Sequence, residues 1–181
     1  MIKDGDRVLL VGQGREYWVR AGPGTFSTDK GQVDLAALAG LEPGRKISTH
    51  SGSEFTVRVP RPTDFFSHGK RSGAPMLPKD IGLVIAYTGM NRNDDVLDAG
   101  TGSGIAAIYF GGIARSVKTY EIRPEFSALA QKNIAEAKLA EWMDLAPAGL
   151  SDRIEAVIEQ VGLPARFANL ETETIMQLMR S

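Results

Sequence analysis

Along the first 60 residues, apolar and polar positions alternate in short runs: DRVLLVG, REYWVR, KGQVDL, RKISTH and EFTVRV, separated by Gly, Pro and Asp. Period-two alternation bounded by turn residues predicts strands. GQGRE joins the first two runs as a hairpin, which sets Val8, Leu10, Tyr17 and Val19 at alternating positions. Residues 1–60 are therefore expected to form a small β domain, a compact barrel or curled sheet. The pattern then breaks. PRPTDFFSHGKRSGAPMLPKD carries four prolines, a Phe-Phe pair and Lys70-Arg71, and reads as too polar and too broken for an interior element. Residues 61–77 are expected to be a linker that doubles as a working loop.

From Pro78 the spacing becomes helical, with Ile81, Val84, Ile85 and Thr88 on one side. DVLDA follows as a short buried strand, IAAIYFGGIA as a helix and SVKTYEI as a second strand. Pro124 opens another helix, lined by Phe126, Leu129, Ala130, Asn133, Ile134 and Ala137. Strand, helix, strand, helix is the start of a doubly wound sheet, so the fold class is α/β, with residues 78–137 as a partial Rossmann-like region. Residues 138–181 are expected to be a helical tail. LSDRIEAVIEQVGLP gives an amphipathic helix capped by Ser151, with Ile154, Val157, Ile158 and Val161 as its stripe. ETETIMQLMR fits a second helix, and no strong apolar strand follows residue 122.

The 181 residues suffice for a sizeable core, and a composition of 43% hydrophobic and 24% charged is that of an ordinary soluble domain. No apolar run approaches the roughly 18 residues of a membrane span, and the amino terminus does not resemble a signal peptide. The expectation is a cytoplasmic protein with no membrane partner. Zero cysteines and only His50 and His68 argue against disulfides and structural metal sites. The net charge of −1 is unevenly divided: residues 1–90 hold 12 basic and 9 acidic side chains, residues 91–181 hold 9 and 13. The first half is the surface better suited to a polyanion, although chance asymmetry explains the numbers equally well.

Candidate chemistry centres on VLDAGTGSG, residues 96–104. Glycines between a strand and a helix let backbone N–H groups approach a ligand, and the helix start favours a negative group. Gly100, Gly102 and Gly104 are spaced as GxGxG and not as the GxGxxG of dinucleotide enzymes. Glu121 ends the next strand, at about the distance from which a carboxylate reaches ribose hydroxyls. A nucleoside cofactor fits. S-adenosylmethionine fits best, with its ammonium group near Asp98; NAD would require a cradle for its pyrophosphate.

At this point the chain resembles a family. Residues 1 to about 137 are similar to tRNA (adenine-N1) methyltransferases, through PRPTDFFSHGKRSGAPMLPKDIGLVIAYTGM, VLDAGTGSGIAAIYF and TYEIRPEFSALAQKNIAEA. The resemblance implies cofactor contacts at Asp98, Gly100, Gly102, Ser103, Gly104, Ile105, Ala106, Glu121 and Phe126, with Met76 nearby. It implies direct displacement, in which adenine N1 attacks the sulfonium methyl and positioning dominates. It further implies a homotetramer whose β domain and basic loops help to grip tRNA. Members of the family continue through further strands, the fourth bearing an acidic motif close to Asp-Leu-Pro-x-Pro beside the target adenine. MDLAPAG offers Asp144, but it follows KLAEW and not an apolar strand, so a helix-end or turn aspartate is the expected role.

The stretch AKLAEWMDLAPAGLSDRIEAVIEQVGLPARFANLETETIMQLMRS resembles part of the helical carboxyl-terminal region of 3-dehydroquinate synthases. That family's metal-binding histidines would lie upstream and are absent, so no synthase activity is implied. Two resemblances meeting near residues 136–140 suggest a chimera, with AEAKLAE continuing as helix across the join. The expectation is a methyltransferase-like chain without catalytic residues that retains S-adenosylmethionine binding. The alternative is an active tRNA adenine-N1 methyltransferase. His68, beside Lys70 and Arg71, is expected to touch phosphate or solvent; Lys70-Arg71 is either a tRNA contact or a solvated loop. Trp142 and Met143 are expected to pack the tail. An incomplete sheet has an open edge, so a homo-oligomer is expected.

Overall fold

The computed structural model describes residues 1–146. Strands β1 (Arg7–Gly12) and β2 (Arg15–Arg20) form the expected hairpin, closed by Gln13 and Gly14 with φ of 53° and 70°. Positive φ at both central residues is the hairpin turn whose twist matches the strands. Val8 faces Val19 and Leu10 faces Tyr17 across the pair. Strands β3 (Thr25–Thr28) and β4 (Gly31–Asp34) make a second hairpin; β5 (Lys46–Ser48) and β6 (Glu54–Arg58) complete an antiparallel sheet of order β2-β1-β6-β5. Val8, Leu10, Val19, Val33, Phe55 and Val57 share one core, with Val33 and the 3₁₀ turn Ala36–Leu38 bringing the second hairpin over the sheet. Tyr17 meets Phe26 and Phe55 edge-on at 5.7 and 5.4 Å. The predicted small β domain is therefore a curled sheet with a hairpin folded over it.

Alternation sends Trp18 to the opposite face of β2, where it forms the junction with the rest of the molecule. There it meets Phe65 edge-on at 5.1 Å, stacks with His68 and lies under the Arg7 guanidinium. Phe65 belongs to helix α1 (Pro62–His68), inside the stretch expected to be irregular. Pro62 starts the helix where its missing N–H costs nothing, and Asp64 accepts from the backbone N–H of Arg61 at 2.6 Å. Arg58 clamps the same carboxylate with two bonds of 2.9 Å. An ion-paired, capped helix can thus bury Asp64 as well as Phe65, and the expectation of a stretch too polar for the interior is corrected. After α1, residues 69–77 run without regular structure.

Helix α2 (Pro78–Thr88) buries Ile81 and is followed by strand β7 (Asp95–Ala99), helix α3 (Ile105–Gly111), strand β8 (Ser116–Tyr120) and helix α4 (Pro124–Glu136). Phe65, Ile81, Ile108, Val117, Ala130 and Ile134 form the second core around α3. The α/β expectation holds: an antiparallel sheet is followed by a parallel sheet with helices.

Two expectations are corrected after α4. The join does not continue as helix: Lys138 has φ of 60°, the Lys138 N–H bonds Ala135 at 3.0 Å and the Leu139 N–H bonds Ile134 at 3.2 Å. This pair of bonds is the Schellman stop, here with lysine where glycine is usual, and Leu139 turns into the core. A third parallel strand, β9 (Met143–Ala146), then pairs with β8, setting Val117 opposite Met143 and Lys118 opposite Asp144. Asp144 is a strand residue, 3.6 Å from Lys118 and 68% exposed, not a helix-end or turn aspartate. A four-residue strand with one inward face leaves almost no periodic signal. Met143 packs on α3 beside Gly111, while Trp142 is half exposed. The order β7-β8-β9 is one half of a doubly wound sheet, and the other edge of β7 pairs with no strand among the described residues. The predicted helices from Ser151 onward, including the Ile154–Val161 stripe, lie outside the described residues.

Candidate functional site

Parallel strands place their carboxyl ends together, so Asp98 near the end of β7 and Glu121 just after β8 come to the same rim of the sheet. Between them runs the glycine loop. Gly100, Gly102 and Gly104 have φ of 91°, 57° and 82°, values that a side chain rarely adopts. Gly104 also meets a steric limit: a Cβ there would lie 3.3 Å from the Cα of Ala130. The loop therefore passes so close to α4 that a side chain at Gly104 would press on Ala130.

Opposite the loop, Ser72–Met76 closes a cleft of about 600 Å³. Asn133 ties the two walls together, its side-chain amide donating to the carbonyl of Lys70 at 2.9 Å and of Ser103 at 2.8 Å. Asp98, Gly100, Gly102, Ser103, Ile105, Ala106, Phe126 and Met76 all line the cleft. Gly104 and Glu121 do not line it. Gly104 caps α3 against α4, and Glu121 is a buried carboxylate behind the loop that accepts the Gly102 N–H at 2.8 Å.

Electrostatics separate the two carboxylates. Burial pushes the Asp98 carboxyl above its ordinary range and the charge of Glu121 adds to the push, while a hydrogen bond from Thr119 opposes it. That bond is 2.7 Å, and Thr119 in turn lies 2.5 Å from the Thr101 hydroxyl. For Glu121, burial also pushes upward, but hydrogen bonds from Arg123 and Gly102 outweigh it and hold the carboxyl below its ordinary range. Arg123 reaches Glu121 through Nε at 3.0 Å and lies 3.7 Å from the centre of the Phe126 ring.

Two hydroxyls in the cleft walls, Ser72 and Ser103, are buried and lack a hydrogen-bond partner among the described residues. Buried polar atoms are normally paired, so this is a cleft with polar capacity to spare. It offers a carboxylate for a cation, two hydroxyls for polar groups and an aromatic face for a planar one. Sequence reasoning missed Ser72, Thr101, Thr119 and Arg123. Serines, threonines and one arginine carry no spacing signal, although Asn133, polar on an otherwise apolar stripe, marks the tie between the walls.

The remaining candidates serve the scaffold. His68 is bonded to Glu16 at 2.8 Å and stacked on Trp18, correcting its expected role as a phosphate or solvent contact. His50 accepts the Gln32 N–H at 2.9 Å and so fastens β4 to the β5–β6 turn. Arg71 covers the Phe66 ring at 4.6 Å.

No family model matches the chain. It is 36% identical over 131 residues to the tRNA (adenine(57)-N(1)/adenine(58)-N(1))-methyltransferase TrmI of Methanocaldococcus jannaschii, covering 71% of this chain and 45% of the relative. It is 35% identical over 135 residues to the tRNA (adenine(58)-N(1))-methyltransferase TrmI of Thermus thermophilus, covering 72% and 52%. The chain thus spans about half the length of the curated relatives it matches. Among solved structures, a SAM-dependent O-methyltransferase from Thermotoga maritima superposes with a TM-score of 0.74 at 28% identity, covering 83% of this chain and 58% of the other. The tRNA (m1A58) methyltransferase TrmI of Aquifex aeolicus gives 0.69 at 26%, covering 83% and 60%. Over about 130 residues the chain therefore resembles the TrmI tRNA methyltransferases in sequence and in fold, and these findings offer no support for a likeness to 3-dehydroquinate synthase.

Proposed function

We propose that this chain binds S-adenosylmethionine in the cleft between Ser72–Met76 and the glycine loop. The observation that carries the reading is the cleft's donor set: half-buried Asp98, the hydroxyls of Ser72 and Ser103 that lack a partner among the described residues, and the Phe126 ring around one space. Asp98 would take the ammonium group, the serine hydroxyls the carboxylate and Phe126 the adenine; Glu121 would accept from the ribose. Gly100, Gly102, Ile105 and Ala106 would shape the walls, with Gly104 acting through packing. When bound, the cofactor supplies an electrophilic sulfonium methyl group.

Asp98 is the only carboxylate in the lining formed by the described residues, and no histidine joins it. The same proposal assigns the described residues the donor side of a methyl transfer. The likeness to TrmI supports tRNA adenine as the acceptor in the alternative reading, in which the chain is an active enzyme. Under either reading the amino-terminal half is the surface offered to tRNA, and the edge of β7 that pairs with no strand among the described residues favours self-association. A segment of separate origin joined after α4 remains compatible with cofactor binding.

Thermal denaturation tests the binding claim. S-adenosylhomocysteine should raise the melting temperature of the wild-type chain, whereas NAD should not. Tritiated methyl transfer to unmodified tRNA separates the two readings: its absence alongside binding fits the donor-side role, and its presence fits the enzyme.

A further inference from the structure

We propose that Arg123 is a displaceable occupant of the nucleoside end of the cleft, and that its release from Glu121 is what admits a vicinal diol. The inference rests on the reading of Glu121 as the ribose acceptor. An ionised carboxylate offers about four lone-pair directions, and those of Glu121 are all in use. Oε1 accepts the backbone N–H and the Nε–H of Arg123, both at 3.0 Å; Oε2 accepts the Gly102 N–H at 2.8 Å and Nη2 of Arg123 at 3.3 Å. Two of these donors belong to backbone that builds the loop and the start of α4. The other two belong to one side chain.

That side chain also covers the aromatic surface. Its guanidinium lies 3.7 Å from the centre of the Phe126 ring, the face on which a planar base would stack. A single planar group therefore holds both positions that a nucleoside needs, and it does so with two N–H donors where a ribose would bring two O–H donors. The exchange conserves hydrogen bonds to Glu121. It is also one-sided: the Glu121 side chain is 2% exposed and cannot turn to water, while the Arg123 side chain is 51% exposed and can. A 2′-deoxynucleoside completes only half of the exchange and leaves a buried lone pair without a donor, so the device selects for the diol.

The test is calorimetric titration of the wild-type chain and Arg123→Ala with S-adenosylhomocysteine, adenosine, 2′-deoxyadenosine and methionine, at low and high potassium chloride. Affinity for the first two should rise about 3–10-fold in Arg123→Ala, the inverse of the fraction of molecules in which Arg123 is already off Glu121. Methionine, which does not reach Glu121, should bind both proteins equally, and 2′-deoxyadenosine should gain less than adenosine. In the wild type, adenosine should bind more tightly at high salt, because screening of the half-exposed Arg123 guanidinium weakens its hold on Glu121. That measurement stands even if the variant does not fold. Equal or weaker binding of adenosine by a folded Arg123→Ala, or a wild-type affinity that is flat or falls with salt, overturns the proposal and leaves the cofactor site standing. If neither protein binds any of the nucleosides while both are folded, the cofactor reading itself fails and takes this inference with it.

Discussion

Glu136, at the end of α4, reaches the first strand of the amino-terminal sheet and accepts two hydrogen bonds from Arg7, at 3.0 and 2.9 Å. Arg20 from β2 joins the same carboxylate, and Lys138 bonds Asp6 at 2.6 Å just beyond. The two sheets are thus bolted together at the helix that also carries Phe126 and Asn133 of the cleft. Both the Glu136 and the Arg7 side chains are largely buried. Removing one partner leaves the other charge poorly solvated. Glu136→Ala should lower the unfolding free energy by about 1–3 kcal/mol, measured by urea denaturation, and Glu136→Gln should lower it less.

Gly104 and Gly100 make a paired prediction. Both have φ in the left-handed region, so alanine at either costs about 1–2 kcal/mol of backbone strain. A Cβ at Gly100 meets nothing within 4 Å, while one at Gly104 presses on Ala130. Gly104→Ala should therefore be the more destabilising in thermal melts, and equal losses would contradict the packing role of Gly104.

Much of this was legible in the chain and some was not. Tyr17 and Val19 alternate with Trp18, and that period-two pattern named both the hairpin and its inner face. Pro78, Pro124 and the apolar spacing behind them marked α2 and α4, and the run Gly100 to Gly104 marked the turn into α3. Three features escaped for physical reasons. Helix α1 looked polar because its charge, Asp64, is neutralised by Arg58, a partner six residues away that no local pattern reveals. Strand β9 is too short to show a period, and the stop at Lys138 uses a residue that ordinarily continues helices. The cleft's hydroxyls and Arg123 converge only through tertiary structure, and Glu121 took its place behind the loop, in bonds that spacing cannot show.

Asp98 links the site to pH. Its folded-state carboxyl lies above the ordinary value, chiefly from burial, so the folded protein binds a proton more readily than the unfolded chain. The stabilising effect of that proton is present below the ordinary carboxylate range and is lost as pH rises through the pKa of Asp98 in the fold. Asp98→Asn should remove this decline in urea denaturation series across pH and leave the protein at least as stable near neutrality. The same change should weaken S-adenosylhomocysteine binding by about 1.5–3 kcal/mol, the size of a lost charged hydrogen bond.

Asp95 moves the other way. Hydrogen bonds from Arg115 and then Ser116 hold its carboxyl at about 2. Depression means that Asp95 of β7 stays ionised below the ordinary carboxylate range, so the stabilisation from its pair with Arg115, just ahead of β8, is complete above that range and is lost as pH falls toward about 2. Carbon-detected nuclear magnetic resonance titration should find Asp95 near there in the wild type and shifted up towards an ordinary aspartate in Arg115→Ala, where the Ser116 hydroxyl alone still donates to it. An unmoved titration would contradict the pairing.

The most direct test of the central claim is isothermal titration of the wild-type chain with S-adenosylhomocysteine beside Gly102→Arg, which fills the cleft from its glycine wall. Saturable one-to-one binding in the wild type, abolished in a variant whose circular dichroism is unchanged, is the predicted result. Absence of binding by the folded wild-type chain, or equal binding by both proteins, would contradict it.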